Sequence, residues 1–203
     1  MNKIKFIIWS LRISITALLV VHTNTAHAAV EVNVATMIEN FKVALPSLMR
    51  LITALAYVIG MFFVIRGIMM LKEHGESRTH QSSDRGHLKG GLIMIAVGAA
   101  LLYLPSSVQT GMSTFWTNPT PLAYVAQQND PWSELIQACF LVIQLIGTIA
   151  FIRGLIMLTH LSQHGGHQGT FGKAMAHIVG GILLIDMYDF VTAVGNTLGL
   201  GQV

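Results

Sequence analysis

Charged residues are scarce in this sequence. Asp, Glu, Lys and Arg make up 10% of its 203 residues, whereas soluble domains carry about 25%. The hydrophobic share is 53% and the mean hydropathy is +0.61. A soluble globular domain is therefore excluded, and the composition predicts a protein that resides in a lipid bilayer.

Cysteine and clustered positive charge are also missing. The one cysteine, Cys139, rules out an internal disulfide and a cysteine-based zinc site. The 12 basic residues are too few and too scattered to form a nucleic-acid-binding surface with interleaved aromatics. Outside four membrane spans the longest stretch is about thirty residues, too short for a separate catalytic domain. We therefore expect no enzymatic activity, no catalytic residues, no cofactor and no nucleic-acid partner.

The amino terminus has the pattern of a secretory signal peptide. Three basic residues precede an apolar run, and an A-x-A motif follows it: Lys3, Lys5 and Arg12, then Ile13–Val21, then Ala26–Ala28. This order predicts a signal peptide over 1–28 that is cleaved after Ala28. An uncleaved membrane anchor is the alternative, because apolar residues also precede Arg12. Cleavage would leave the mature chain formally neutral, since the three basic residues account for the net charge of +3.

Four apolar segments are long enough to cross the roughly 30 Å hydrocarbon core as helices. They are Leu51–Leu71, Gly90–Val108, Leu135–Leu158 and Ala174–Leu200. The predicted fold class is therefore an all-α membrane protein with four transmembrane helices, arranged as two hairpins over 51–108 and 135–203. An external connection, 109–134, joins the hairpins. An external segment, 29–50, precedes them and has the mixed pattern of an interfacial helix.

Two independent signals agree on the orientation. A cleaved signal peptide places the mature amino terminus outside the cytoplasm. The loop 72–89, which is then cytoplasmic, carries four basic residues, and the external connection 109–134 carries none. This distribution follows the positive-inside rule. We therefore expect a multi-pass protein of the bacterial inner membrane with both mature termini on the periplasmic side.

The two hairpins share a repeated pattern. A G-x5-R-G motif and a later pattern of histidine followed by paired glycines both occur twice: Gly60–Leu71 with Gly147–Leu158, and His87–Ile95 with His177–Ile185. The matching order of arginine, histidine and glycine pair indicates a tandem duplication. In this alignment Ala96 and Ala99 correspond to Asp186 and Asp189, so the two halves are not functionally identical.

Glycines in the spans are spaced for helix packing. Gly60 and Gly67 are seven residues apart and lie on one helix stripe, and Gly147 and Gly154 repeat that spacing. Small residues let helix backbones approach closely in a membrane. The predicted packing positions are Gly60, Gly67, Gly91, Gly147, Gly154 and Gly181.

Four charged residues fall inside the predicted spans. Arg66 and Arg153 lie near the cytoplasmic ends, where their side chains can extend to the lipid headgroups. Asp186 and Asp189 are three residues apart, on one face of the fourth helix. Acids at membrane depth usually face a helix bundle or an aqueous cavity. The alternative is that the two arginines pair with the two aspartates, within one chain or between subunits.

Histidines gather in the predicted cytoplasmic loops without forming a metal site. His160 and His164 have the i, i+4 spacing of two metal ligands on a helix. Gly165 and Gly166 follow directly and interrupt a helix there, and the loop holds neither a carboxylate nor a cysteine. We therefore predict no metal site.

Each half resembles the pilin-like subunits of type IV secretion and conjugation systems, which pair two apolar helices across a short basic turn after a signal peptide. At full length, the signal peptide, the two R-G helices and the loops at His74-Gly75 and His164–Gly166 resemble the IcmC/DotE family of the Dot/Icm type IVB secretion apparatus. The shorter IcmD/DotP relative resembles a single hairpin. The resemblance covers most of the mature chain and departs from ordinary pilins in the duplication.

The resemblance implies a structural subunit of the inner membrane that supports translocation of effector proteins. Its implied partners are the lipid bilayer and other membrane subunits of the secretion system, with a homo-oligomer as a further arrangement. Two alternatives stay open. One is a small ion or solute transporter or channel that uses Asp186 and Asp189, and the other is an assembly factor for a pilin-like subunit.

Overall fold

Helices account for nearly all of the residues that the structure describes. The computed structural model describes 34–77, 85–119, 132–160 and 168–199, and no strand occurs in these ranges. The helices in them are α1 Val34–Ser77, α2 Arg85–Leu102, α3 Leu104–Phe115, α4 Ser133–His160, α5 Gln168–Ile185 and α6 Met187–Thr197. The all-helical class is confirmed for this part of the chain. The predicted signal peptide and the loop His164–Gly166 lie outside the described residues.

α1 is one continuous helix of 44 residues. It begins in the predicted external segment and continues through the first predicted span, and Pro46 lies inside it without ending it. At about 1.5 Å per residue the helix is about 66 Å long, roughly twice the thickness of the hydrocarbon core. The predicted boundary between residues 50 and 51 therefore does not separate two helices. By its internal contacts the chain divides into two units, Met1–Met37 and Ile38–Val203. Of the first unit the structure describes only 34–37, the first turn of α1.

Two helices are long and apolar enough to cross a membrane unbroken, the stretch Thr36–Glu76 within α1 and the whole of α4. Two further pairs of helices are long and apolar enough to cross a membrane only when the two helices of a pair are taken together. Each of these pairs is bent where its helices meet. The angle is 95° between α2 and α3 and 86° between α5 and α6. The described residues therefore contain two to four candidate spans. A bend interrupts each of the predicted spans 90–108 and 174–200, so neither is a single straight helix.

A proline accounts for the first bend but not for the second. Tyr103 separates α2 from α3, and Pro105 follows as the second residue of α3. Proline lacks an N–H, and its ring clashes with the carbonyl four residues earlier, which breaks the helix. Asp186 separates α5 from α6, yet the next two residues, Met187 and Tyr188, impose no such restriction. The residues that follow the second bend therefore give no local reason for it.

The hairpins pack on each other through α2 with α4 and through α3 with α5. Their shared core consists of the buried residues Ala56, Val97, Leu101, Leu104, Met112, Phe151, Ile152, Leu155, Ile182 and Ile185. α1 contributes the buried Ala56 and the partly buried Ile52, Ile59 and Phe63, although only 11% of its most apolar window is buried. Its exposed apolar side chains include Leu55, Val58, Phe62, Ile65 and Met69. Such a continuous apolar surface fits contact with a lipid bilayer.

Candidate functional site

In the first hairpin, α1 and α2 touch backbone to backbone. A Cβ added to Gly60 would lie 2.9 Å from the carbonyl oxygen of Gly98, and one added to Gly67 would lie 2.9 Å from that of Gly91. Real Cβ atoms essentially never approach backbone so closely. The two helices therefore have room for glycine alone at these positions.

The second hairpin repeats this contact between α4 and α5. A Cβ added to Gly147 would lie 2.8 Å from the carbonyl oxygen of Gly181, and one added to Gly154 would lie 2.9 Å from that of Ala174. We call these two sets of contacts the glycine seams, formed by Gly60, Gly67, Gly91 and Gly98 in the first hairpin and by Gly147, Gly154, Ala174 and Gly181 in the second. All six glycines named from the sequence lie in the seams.

The seams give the predicted repeat a different register. Gly98 faces Gly60 as Gly181 faces Gly147, so the counterpart of Gly181 is Gly98 and not Gly91. α2 and α5 have the same length of 18 residues, which fits this pairing. The predicted alignment of the second helices is therefore displaced by seven residues, about two helical turns. Sequence reasoning missed Gly98, although its seven-residue distance from Gly91 repeats the distance from Gly60 to Gly67.

The two bends have the same backbone conformation. Tyr103 has φ −110° and ψ 40°, and Asp186 has φ −114° and ψ 47°. The N–H of Tyr103 donates to the carbonyl of Ala99 at 3.0 Å, and the N–H of Asp186 donates to that of Ile182 at 3.3 Å. Asp186 therefore corresponds to Tyr103, and the predicted correspondence with Ala96 is wrong.

The side chains at the two bends differ sharply in environment. Tyr103 is 69% exposed, whereas Asp186 is 1% exposed. The Asp186 carboxyl forms no capping hydrogen bond with α6. Among the described residues no group donates a hydrogen bond to either of its oxygens. Asp189, one turn further on, is half-buried and lies near enough to interact with it electrostatically.

The first bend also contains a donor that the second lacks. The hydroxyl of Ser107 donates to the carbonyl of Ala100 at 2.9 Å, and this carbonyl belongs to the last turn of α2. In the corrected register Leu183 and Phe190 take these two places in the second hairpin. Phe190 has no hydroxyl and cannot donate in the same way.

The intramembrane arginines do not meet the aspartates. Arg66 on α1 and Arg153 on α4 are both exposed, each directly beside a seam glycine. Neither forms an ion pair within the described ranges, where Lys72 and Glu76 do so at 3.6 Å on the exposed end of α1. Asp186 is buried and Arg153 is exposed, and the pairing raised from the sequence is not formed within the described part of this chain.

A cavity of about 370 Å³ lies between the hairpins. Its lining includes Met49, Thr53, Leu104, Pro105, Val108, Gln109, Met112, Pro119, Gln144, Thr148 and Ile185. The hydroxyls of Thr53 and Thr148 donate to carbonyls of their own helices at 2.9 Å. The two glutamine amides are therefore its most available polar groups. Within the described ranges no three His, Cys, Asp or Glu side chains are placed to hold a metal ion together.

No protein-family model, no curated protein and no solved structure matches this chain.

Proposed function

We propose that this protein is a structural subunit of a type IVB secretion apparatus of the Dot/Icm kind, anchored in the bacterial inner membrane. It supports translocation of effector proteins by packing its helices among those of other membrane subunits, without catalysing a reaction. The observation that supports this most directly is the pair of hairpins with equivalent glycine seams. Paired apolar helices of this kind are what the resemblance to pilin-like subunits leads one to expect.

The distribution of buried surface also favours a structural role. The hairpins bury their glycine faces within themselves and leave most of α1 exposed and apolar. In a membrane, helices associate through close packing of small residues and through interhelical polar contacts. The exposed arginines Arg66 and Arg153 place one positive charge beside each seam. Each guanidinium is available to bind an acidic group of a neighbouring subunit or a lipid headgroup.

A tagged copy of the chain, purified from gently solubilised membranes, is expected to retain other membrane components of the secretion apparatus in fixed ratio. Mass spectrometry of the purified complex measures this. An unrelated inner-membrane protein with the same tag and similar abundance is the control. Recovery of the chain as a free monomer, with effector export intact in its absence, would contradict the proposal.

The proposed topology can be tested with single cysteines. Cys139 is exposed, so the background carries Cys139→Ser. Asn118→Cys and Gly75→Cys then report on the proposed periplasmic and cytoplasmic sides, since both positions are exposed. We expect a membrane-impermeant maleimide to label Asn118→Cys in spheroplasts, and to label Gly75→Cys only after permeabilisation. The reverse pattern would show that the orientation is inverted.

A small transporter or channel is the second candidate, because Asp186 is buried without a donor. Acids at membrane depth often mark ion or proton pathways. This candidate requires ion flux through the purified chain alone in vesicles, whereas a structural subunit does not.

A further inference from the structure

The break between α5 and α6 combines several hydrogen-bond acceptors with a shortage of donors. A helix leaves its last carbonyl groups without intrahelical partners. The carbonyl of Ile182 accepts the N–H of Asp186 at 3.3 Å. α5 ends at Ile185, so the carbonyls after Ile182 have no partner within their own helix. In the first hairpin the Ser107 hydroxyl serves the corresponding carbonyl of Ala100. Phe190 replaces this donor in the second hairpin.

The carboxyl of Asp186 adds two more acceptors at the same place. It is 1% exposed, and no described residue donates to either oxygen. The neighbouring carboxyl of Asp189 interacts with it, and an ionised carboxylate is an acceptor with no proton to give. Leaving a buried carboxylate unpaired is costly, so such groups are normally paired or bound to a metal ion.

Oxygen atoms of carboxylates and main-chain carbonyls are the ligands that hard cations prefer. In membrane proteins, broken helices coordinate cations through such free carbonyls at the end of a half-helix. The first bend lacks this chemistry, because Tyr103 and Ser106 occupy the places of Asp186 and Asp189. The two bends are otherwise equivalent, and only the second one carries carboxylate oxygens that can serve as cation ligands.

We propose that the break between α5 and α6 binds a small inorganic cation through the carboxylates of Asp186 and Asp189 and the free carbonyl groups at the end of α5. The bound cation neutralises the buried acid and holds α6 at its angle to α5. This site does not depend on the proposed role in secretion, because it is defined within one chain. Na⁺, K⁺, Mg²⁺ and Ca²⁺ share the required chemistry.

The test uses the purified full chain in a neutral detergent at fixed pH and ionic strength. Choline chloride is replaced in turn by the chlorides of the four cations, and thermal unfolding is followed by tryptophan fluorescence. At a hundredfold excess over Kd, the matching cation is expected to raise Tm by about 5–10 °C. Asp186→Asn is expected to abolish this rise. Asp189→Asn is expected to reduce it at the same cation concentration.

Glu134→Gln is the matched control, since Glu134 is an exposed acid in the first turn of α4. This variant is expected to keep the full rise in Tm. An equal rise in Asp186→Asn and in the unsubstituted chain overturns the proposal, as does the absence of any cation effect beyond choline. If Asp186→Asn does not fold, an undiminished rise in Asp189→Asn overturns it. A rise in Tm on acidification, with none on adding a cation, would mean that the two carboxyls share a proton. That result would also overturn the proposal.

Discussion

Gly181→Ala is expected to destabilise the protein by about 1–3 kcal/mol, the usual cost of overpacking a close contact. A Cβ at this position would lie 2.7 Å from the backbone nitrogen of Phe151 and 2.8 Å from the carbonyl oxygen of Gly147. Neither atom can move away without shifting α4 as a whole. Intrinsic helix propensity acts in the opposite direction, since alanine is favoured over glycine by about 1 kcal/mol in a helix. A loss of stability would therefore report the seam itself.

The neighbouring glycine provides a matched control for this substitution. A Cβ at Gly180 would meet nothing within 4 Å. Gly180→Ala is therefore expected to be neutral or to stabilise the protein by up to about 1 kcal/mol. Thermal or denaturant unfolding of both variants in one detergent measures the difference. Equal effects of the two substitutions would mean that α4 and α5 are not in backbone contact.

Leu101→Ala is expected to destabilise the packing between the hairpins by about 2 kcal/mol or more. Leu101 is 0% exposed and belongs to the core that both hairpins share. Truncating a buried leucine to alanine costs about 2–5 kcal/mol in water-soluble proteins. The lower part of that range applies here, because lipid rather than water is the alternative environment for the side chain and only packing contacts are lost.

Leu92→Ala is the control for this second prediction. Leu92 lies on the same helix, α2, but is 54% exposed. Its truncation is expected to change the unfolding free energy by less than about 0.5 kcal/mol. Thermal unfolding of the two variants side by side distinguishes the effects. A similar loss in both would place the core elsewhere than between α2 and α4.

The helical class follows from composition together with the length of the apolar runs. In a chain with 53% hydrophobic and 10% charged residues, runs of about twenty apolar residues are long enough to cross lipid as helices. Lipid offers no hydrogen-bond partners, so the backbone of such segments forms helices that satisfy themselves. Apolar runs therefore predicted the positions of α1 and α4 well, whereas the length of α1 exceeds its apolar run because its polar ends continue the same helix.

The sequence predicts the first bend but not the second. Pro105 marks the first break in the sequence, since proline cannot continue an undisturbed helix. No residue after Asp186 gives such a signal. The ring of Tyr188 packs edge-on against that of Phe140 on α4, with the two ring centres 5.9 Å apart. A local sequence pattern does not predict such contacts between residues that are distant in the chain.

The sequence by itself determined that the described chain is helical and apolar, and that small residues recur at helix-packing distances, because hydropathy and residue size are local properties. Only the tertiary structure decided which glycines face each other, that Gly98 matches Gly181, and that Asp186 is buried at a break while Tyr103 is exposed at its equivalent. A repeat of apolar residues can be aligned at several helical turns with similar scores. Only the close approach of two backbones, which a methyl group would prevent, selects one register among them.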